Sequence, residues 1–115
     1  SEETYKNINK YLFAIRFIDL VAVKGKSKAI KIFEVFDADL EKLKQLKIET
    51  LNDFKKAIKG YFEHNFENSL KLFSKINKIN PDDKVTEIFI NRCKKIIKEG
   101  WNPDLWDGVN RLRNK

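Results

Sequence analysis

The stretch RFIDLVAVKGKSKAIKIFEVF, residues 16–36, decides the fold: two runs of β-branched and aromatic residues flank a basic, glycine-containing Lys24-Gly25-Lys26-Ser27. Side chains branched at Cβ suit a pleated strand and glycine supplies the backbone freedom of a turn, so the pattern predicts a β-hairpin. Strand one is expected over about residues 13–23 and strand two over about 28–36. Ile30, Ile32 and Glu34 alternate with Lys31, Phe33 and Val35, so one face of the second strand is only partly apolar. Lys24, Lys26 and Lys28 gather around one tip.

Working outward, Ser1 can cap a short helix over residues 1–10, with Glu2 and Glu3 at its positive end. Downstream, Asp37-Ala38-Asp39 ends the hairpin, and Leu40, Leu43 and Leu46 fall at helical spacing in a connector helix. Thr50 followed by Asp53 resembles a capping arrangement that opens a helix carrying Leu51, Phe54, Ala57, Ile58, Tyr61 and Phe62 and ending near His64-Asn65. The next helix spans about 66–79, with Phe66, Ser69, Leu70, Phe73 and Ile76 as the buried stripe and Lys71, Lys75 and Lys78 opposite. Pro81 stops it, and Asp82-Asp83 open a third helix bearing Val85, Ile88, Phe89, Arg92, Cys93, Ile96 and Ile97, which Gly100 ends. The tail from Trp101 to Val109 reads as irregular and folded back onto the helices, because two exposed tryptophans would forfeit apolar burial.

Composition sets bounds. A chain of 115 residues is one domain in size, and 42% hydrophobic content with nine Phe marks it as folded. The charge of +7 comes from lysines mixed with acids along every segment, which reads as a solvated helical surface; no nucleic-acid reading motif accompanies it. A single cysteine, Cys93, excludes an internal disulfide and suits a reducing, cytoplasmic setting. No run reaches the roughly 20 apolar residues that span a bilayer, and no secretory signal is visible.

Asp19-x-Val-x-Val23-Lys24-Gly25-Lys26-Ser27, followed by Ile30-x-Ile32-Phe33-Glu34-Val35, resembles the last hairpin of the class III adenylate/guanylate cyclase catalytic domain, and Ser1-Glu2-Glu3-Thr4-Tyr5 resembles the segment preceding it in that family. The resemblance covers residues 1–38. Trp106-Asp107-Gly108-Val109 also resembles the C-terminal ends of bacterial cyclases that carry a helical appendage. Phe54-x2-Ala57-x3-Tyr61-x4-Phe66-x2-Ser69-x3-Phe73-x2-Ile76-x4-Pro81 resembles one tetratricopeptide repeat, in which small Ala57 and Ser69 let two antiparallel helices approach. Gly60 departs from that pattern, the aromatic falling one residue later at Tyr61.

The cyclase resemblance implies that Lys24 reaches the nucleotide triphosphate as a mobile point charge and that Gly25 lets the turn approach phosphate closely. It implies two Mg or Mn ions in the parent enzyme, held by aspartates upstream of this hairpin; Asp19, Asp37 and Asp39 match none of the family's metal motifs, so no cofactor is expected in this segment. The lone His64 reads as a helix-end residue, Cys93 as buried, and Tyr61, Phe62, Phe66 and Phe73 as core.

The expected fold is α+β: a helix and β-hairpin over 1–38, then a tetratricopeptide-like helical unit over 39–115 with a Trp-containing tail. The expected function is that of the C-terminal fragment of a bacterial cyclase making cyclic AMP or cyclic GMP, inactive alone. A first residue other than Met, inside a family segment, points to a piece of a longer chain. Expected partners are the remainder of the catalytic domain, a second copy in a homodimer, and a protein or peptide on the helices. The alternative is a stand-alone helical adaptor that binds a peptide.

Overall fold

The protein is described by a computed structural model covering residues 14–23 and 28–112. The helix expected over 1–10 and the Lys24-Gly25 turn lie outside the described residues. Strands β1 (Ile15–Val23) and β2 (Ile30–Val35) form the expected hairpin arms. Helices α1 (Glu41–Glu49), α2 (Leu51–Phe62), α3 (Phe66–Ile79) and α4 (Lys84–Glu99) follow, then a short strand β3 (Asn110–Leu112). The fold is α+β, as the sequence indicates.

The sheet has three strands in the order β2-β1-β3. β1 and β2 are antiparallel, and β3 runs parallel to β1, pairing Val21 with Asn110, Ala22 with Arg111 and Val23 with Leu112. The tail from Trp101 to Val109 is irregular as expected, and β3 follows directly after it. The β1–β2 register shifts between Phe17 and Asp19, leaving Ile18 as the extra residue of a bulge. A bulge breaks strict alternation, so Arg16 and Asp19, three residues apart, both reach the same helix.

The helices are built on amphipathic stripes. Phe54, Ala57, Ile58, Tyr61, Phe66, Phe73, Ile76, Phe89 and Cys93 form one buried cluster, and Phe17 and Ile18 of β1 pack against it. The core therefore runs without a break from the hairpin into the helices. Phe73 stacks on Phe89 at 5.1 Å between centroids, and Tyr61 meets Phe89 edge-on at 4.9 Å.

The small residues of the α2–α3 contact act as read. Ser69 Oγ donates to the Ala57 carbonyl at 2.8 Å, and a Cβ at Gly60 would lie 2.5 Å from Ser69 Oγ. Gly60 is thus the residue that admits Ser69. Helix α2 ends in a Schellman pattern: Asn65 N–H donates to the Gly60 carbonyl at 2.7 Å and His64 N–H to that of Tyr61 at 3.2 Å. His64 takes the left-handed position there, with φ of 69°.

Thr50 does not cap α2 as expected. Its hydroxyl turns back to donate to the Leu46 carbonyl at 2.8 Å, closing the end of α1 instead. Thr50 is the single residue between the two helices, and its hydroxyl meets a carbonyl at the end of α1.

Candidate functional site

The two residues given a phosphate role, Lys24 and Gly25, lie outside the described residues, but the strand that leads into them is described in full. Its anchoring defines the site. Arg16 is completely buried and makes a bidentate pair with Asp83, Nη1 to Oδ2 at 2.8 Å and Nη2 to Oδ1 at 2.7 Å. Arg16 Nε also donates to Glu34 Oε1 at 2.7 Å, and the guanidinium lies 4.2 Å from the centre of the Phe54 ring.

Asp83 caps α4 as well, accepting from Thr86 N and, at 2.9 Å, from Thr86 Oγ1. Burial opposes the charge of both partners, but their mutual hydrogen bonds and attraction prevail. Arg16 is held above its ordinary pKa and Asp83 below the usual carboxylate value.

Three residues further along β1 the polarity reverses. Asp19 accepts from both Arg92 nitrogens, Nη1 to Oδ1 at 3.1 Å and Nη2 to Oδ2 at 2.9 Å. Burial disfavours the charge on Arg92, whereas Asp19, and the hydroxyl of the buried Tyr61, hold its pKa up. Beyond Asp19, Val21–Val23 is flanked by β3 on one side, and Val21 pairs with Ile30 of β2 on the other.

The tail that supplies β3 is fixed by aromatic packing. Trp106 meets Tyr61 at 5.3 Å, Phe66 at 5.1 Å and His64 at 5.0 Å between centroids. Gly108 has φ of 74°, and a Cβ there would sit 2.6 Å from the Phe62 ring. The tail folds back as the sequence indicates, and the exposed helix-end residue His64 borders the Trp101 and Trp106 rings.

The three aspartates weighed above are each held by a basic side chain. Asp19 is bound by Arg92, Asp37 by Lys44 at 2.8 Å and Asp39 by Lys47 at 2.6 Å. Among the described residues no group of three or more His, Cys, Asp or Glu could hold an ion. The residues described do not fit the two-ion site of a cyclase, whose ligands the resemblance assigns to other segments. Cys93 is buried, and burial pushes its thiol up to about 11. That rules out a ready nucleophile at neutral pH.

Among the described residues, an exposed strand edge and an apolar groove stand out. On β2, Ile30 is 61% and Val35 59% exposed, and among the described residues this strand is an edge of the sheet. Between α1 and the α3–α4 turn lies a groove of about 470 Å³ walled by Leu40, Leu43, Leu46, Ile79 and Pro81. Asn80, which is 1% exposed, also lines it, and its Nδ2 has no hydrogen-bond partner among the described residues. Among the described residues no helix is long and apolar enough to cross a membrane.

Over 86 residues, 75% of its length, the chain is 41% identical to the "Adenylate cyclase, terminal-differentiation specific" of Dictyostelium discoideum. The chain is similar to an adenylate cyclase. The match takes in 4% of that protein's length. At most 38 of the 86 matched residues can fall in residues 1–38, so the similarity runs well into the helical unit. No protein-family profile matches the chain, and no solved structure matches it.

Proposed function

We propose that this chain is the C-terminal part of a class III nucleotide cyclase, an enzyme that makes cyclic AMP from ATP or cyclic GMP from GTP. The observation that carries the reading is the 41% identity to an adenylate cyclase in a chain whose hairpin has the Val23-Lys24-Gly25-Lys26 wording of that family. In this reading the hairpin completes the catalytic-domain sheet, and the apolar edge of β2 supports it by offering a place for that sheet to continue. Lys24 binds triphosphate, with Gly25 giving it room. Two Mg or Mn ions belong to the remainder of the catalytic domain.

Removing a charge-assisted phosphate contact costs about 1.5–3 kcal/mol, or roughly ten- to a hundredfold in affinity. In the intact protein that carries this segment, Lys24→Ala is therefore expected to raise KM for the triphosphate about tenfold or more. The 115-residue chain alone is expected to give no cyclic nucleotide from ATP or GTP with Mg²⁺ or Mn²⁺. Product from the isolated chain, or an unchanged KM in the Lys24→Ala enzyme, would overturn the assignment.

The groove at α1 favours a role for the helices in contacts with a protein or peptide, in this enzyme or in a free-standing adaptor. An occupant with apolar side chains would cover Leu40, which is 83% exposed, and a carbonyl would satisfy the Asn80 amide. Leu40→Glu with Leu43→Glu should abolish association without lowering the thermal midpoint. Unchanged association, read by light scattering of the intact protein, would remove the groove from the interface.

A further inference from the structure

Helices α2 and α4 and the tail close on a cleft of about 200 Å³. Its wall takes Tyr61 from α2, Arg92, Lys95 and Ile96 from α4, Trp106 from the tail and Asn110 from the start of β3. Arg92, Lys95 and Ile96 share one face of α4 because they stand three and four residues apart. The volume falls below the roughly 300–1,000 Å³ of a pocket for a drug-sized ligand, so the occupant is small.

The polar groups on this wall are donors that lack acceptors. Tyr61 is only 5% exposed, and its hydroxyl lies beside the Arg92 guanidinium. A guanidinium only donates, so the hydroxyl turns its oxygen to Arg92 and its proton away. Among the described residues no acceptor meets that proton, no carboxylate pairs with Lys95, and the Asn110 side-chain amide has no partner. Asp19 neutralises Arg92 from the β1 side, but no carboxylate among the described residues lines the cleft, and the Lys95 charge stays uncompensated. Ile96 and the Trp106 ring give the cleft an apolar side.

We propose that this cleft binds the phosphoryl group of a small phosphate monoester, with the organic part of the ligand against Trp106 and Ile96. A monoester carries about 1.5 to 2 negative charges at pH 7 and three terminal oxygens that accept hydrogen bonds. A carboxylate has one charge and two oxygens in one plane. Donors converging from α2, α4 and β3 suit the tetrahedral group. The ligand joins α4 to the tail, so binding holds the tail in its docked position and stabilises the fold by mass action. The cleft shares no residue with the Lys24 turn, and the proposal stands whether or not Lys24 meets a nucleotide.

Titration of the isotope-labelled chain with phenyl phosphate tests this, followed by magnetic resonance of the Trp106 indole and the Val109 and Asn110 amides. Saturable shifts with a Kd of about 1 mM are expected, the strength of a few hydrogen bonds to a charged group after the cost of immobilising the ligand. Benzoate lacks the phosphoryl group and inorganic phosphate lacks the ring; each should bind at least about threefold more weakly. Lys95→Gln removes a charge-assisted bond and should weaken phenyl phosphate about tenfold, while Tyr61→Phe removes a neutral donor and should weaken it about two- to tenfold. Lys94→Gln, on the same helix but outside the cleft, should leave Kd within about twofold, as general attraction to a basic chain would not. No saturation by about 30 mM, an affinity unchanged in both Lys95→Gln and Tyr61→Phe, or a loss in Lys94→Gln equal to that in Lys95→Gln overturns the proposal. Benzoate binding as tightly as phenyl phosphate overturns the phosphoryl assignment, and inorganic phosphate doing so overturns the role of Trp106 and Ile96.

Discussion

Replacing Asp83 by Asn tests the centre of the fold. The change is nearly isosteric, but it removes the charge that faces Arg16 and disturbs the acceptors for Arg16 Nη1 and Nη2, for Thr86 Oγ1 and for Thr86 N. Breaking a buried ion pair by removing one partner costs about 3–5 kcal/mol. The lower end applies here, because Glu34 still pairs with Arg16 Nε at 2.7 Å. A loss of about 3 kcal/mol is a large share of the roughly 5–15 kcal/mol that holds a domain together, and it lowers the midpoint by about 12 °C at this chain length. Urea unfolding read in parallel by far-ultraviolet circular dichroism and tryptophan fluorescence measures it. The companion variant Arg16→Met with Asp83→Leu removes both charges, and should cost less than the single change because no buried charge is left behind. The pH dependence has a definite sign. The folded pKa of Asp83 is depressed, so its contribution is present above the ordinary carboxylate value and fades as pH falls through the lower folded one. The gap between wild type and Asp83→Asn should therefore close only below about pH 4. A single-variant cost under about 1 kcal/mol, or a double variant as unstable as the single, would refute the reasoning.

Further outcomes follow from packing at Cys93, Gly60 and Gly108. Cys93, with its thiol raised to about 11, should resist iodoacetamide at pH 8 and react only at the rate of global unfolding; rapid labelling of the native chain would contradict its burial. Stability attributable to that thiol should be lost as pH rises from about 9 towards 11. Gly60→Ala should destabilise by about 1–2 kcal/mol through the Ser69 clash, although alanine favours a helix interior. In a Ser69→Ala background the same change should stabilise, and additive effects in denaturant titrations would show that the two sites are not in contact. Gly108→Ala meets both a positive φ and the Phe62 ring, so it should loosen the tail and shift Trp106 fluorescence while leaving helix content intact.

The sequence discloses elements according to how much local physics each contains. Helix α3 matches its expected span because an apolar stripe spaced three and four apart runs to Ile76 and the helix ends at Ile79, two residues before Pro81. Strand β3 was invisible: Asn110-Arg111-Leu112 has no alternation, and its pairing follows from where Trp106 and Gly108 place the tail. The same limit applies at the site. Lys24 and Gly25 stand out through the wording of a hairpin, but Arg16 and Asp19 look like ordinary strand charges and Arg92 like the polar shoulder of a helical stripe. Their partners lie 67 and 73 residues away, and only the Ile18 bulge, which no residue type announces, turns them towards one helix. Asp83 offered the one usable signal, since a cap-forming acid just after a proline marks a helix start; its second role with Arg16 had none.

A two-stranded ribbon is marginal in water, and this one is joined by the short β3 and packs side chains into the helical core. Phe17 and Ile18 enter the helical core, and Arg16 sits between Phe54 and Asp83, so the hairpin and helical unit share their buried groups. That arrangement also fixes how a larger sheet can grow. β3 covers the far side of β1 with three residues, one of them the basic Arg111, and a short charged edge resists further pairing. β2 is twice as long and carries Ile30, Ile32 and Val35 exposed at its edge. Among the described residues, then, continuation favours β2, and a charge there should block it. Ile32→Lys is expected to leave the melting transition of this chain within about 0.5 kcal/mol, as for other surface changes, while lowering its self-association or its complementation of a cyclase core lacking this segment. Undiminished assembly in the Ile32→Lys chain would mean that the sheet does not grow through β2.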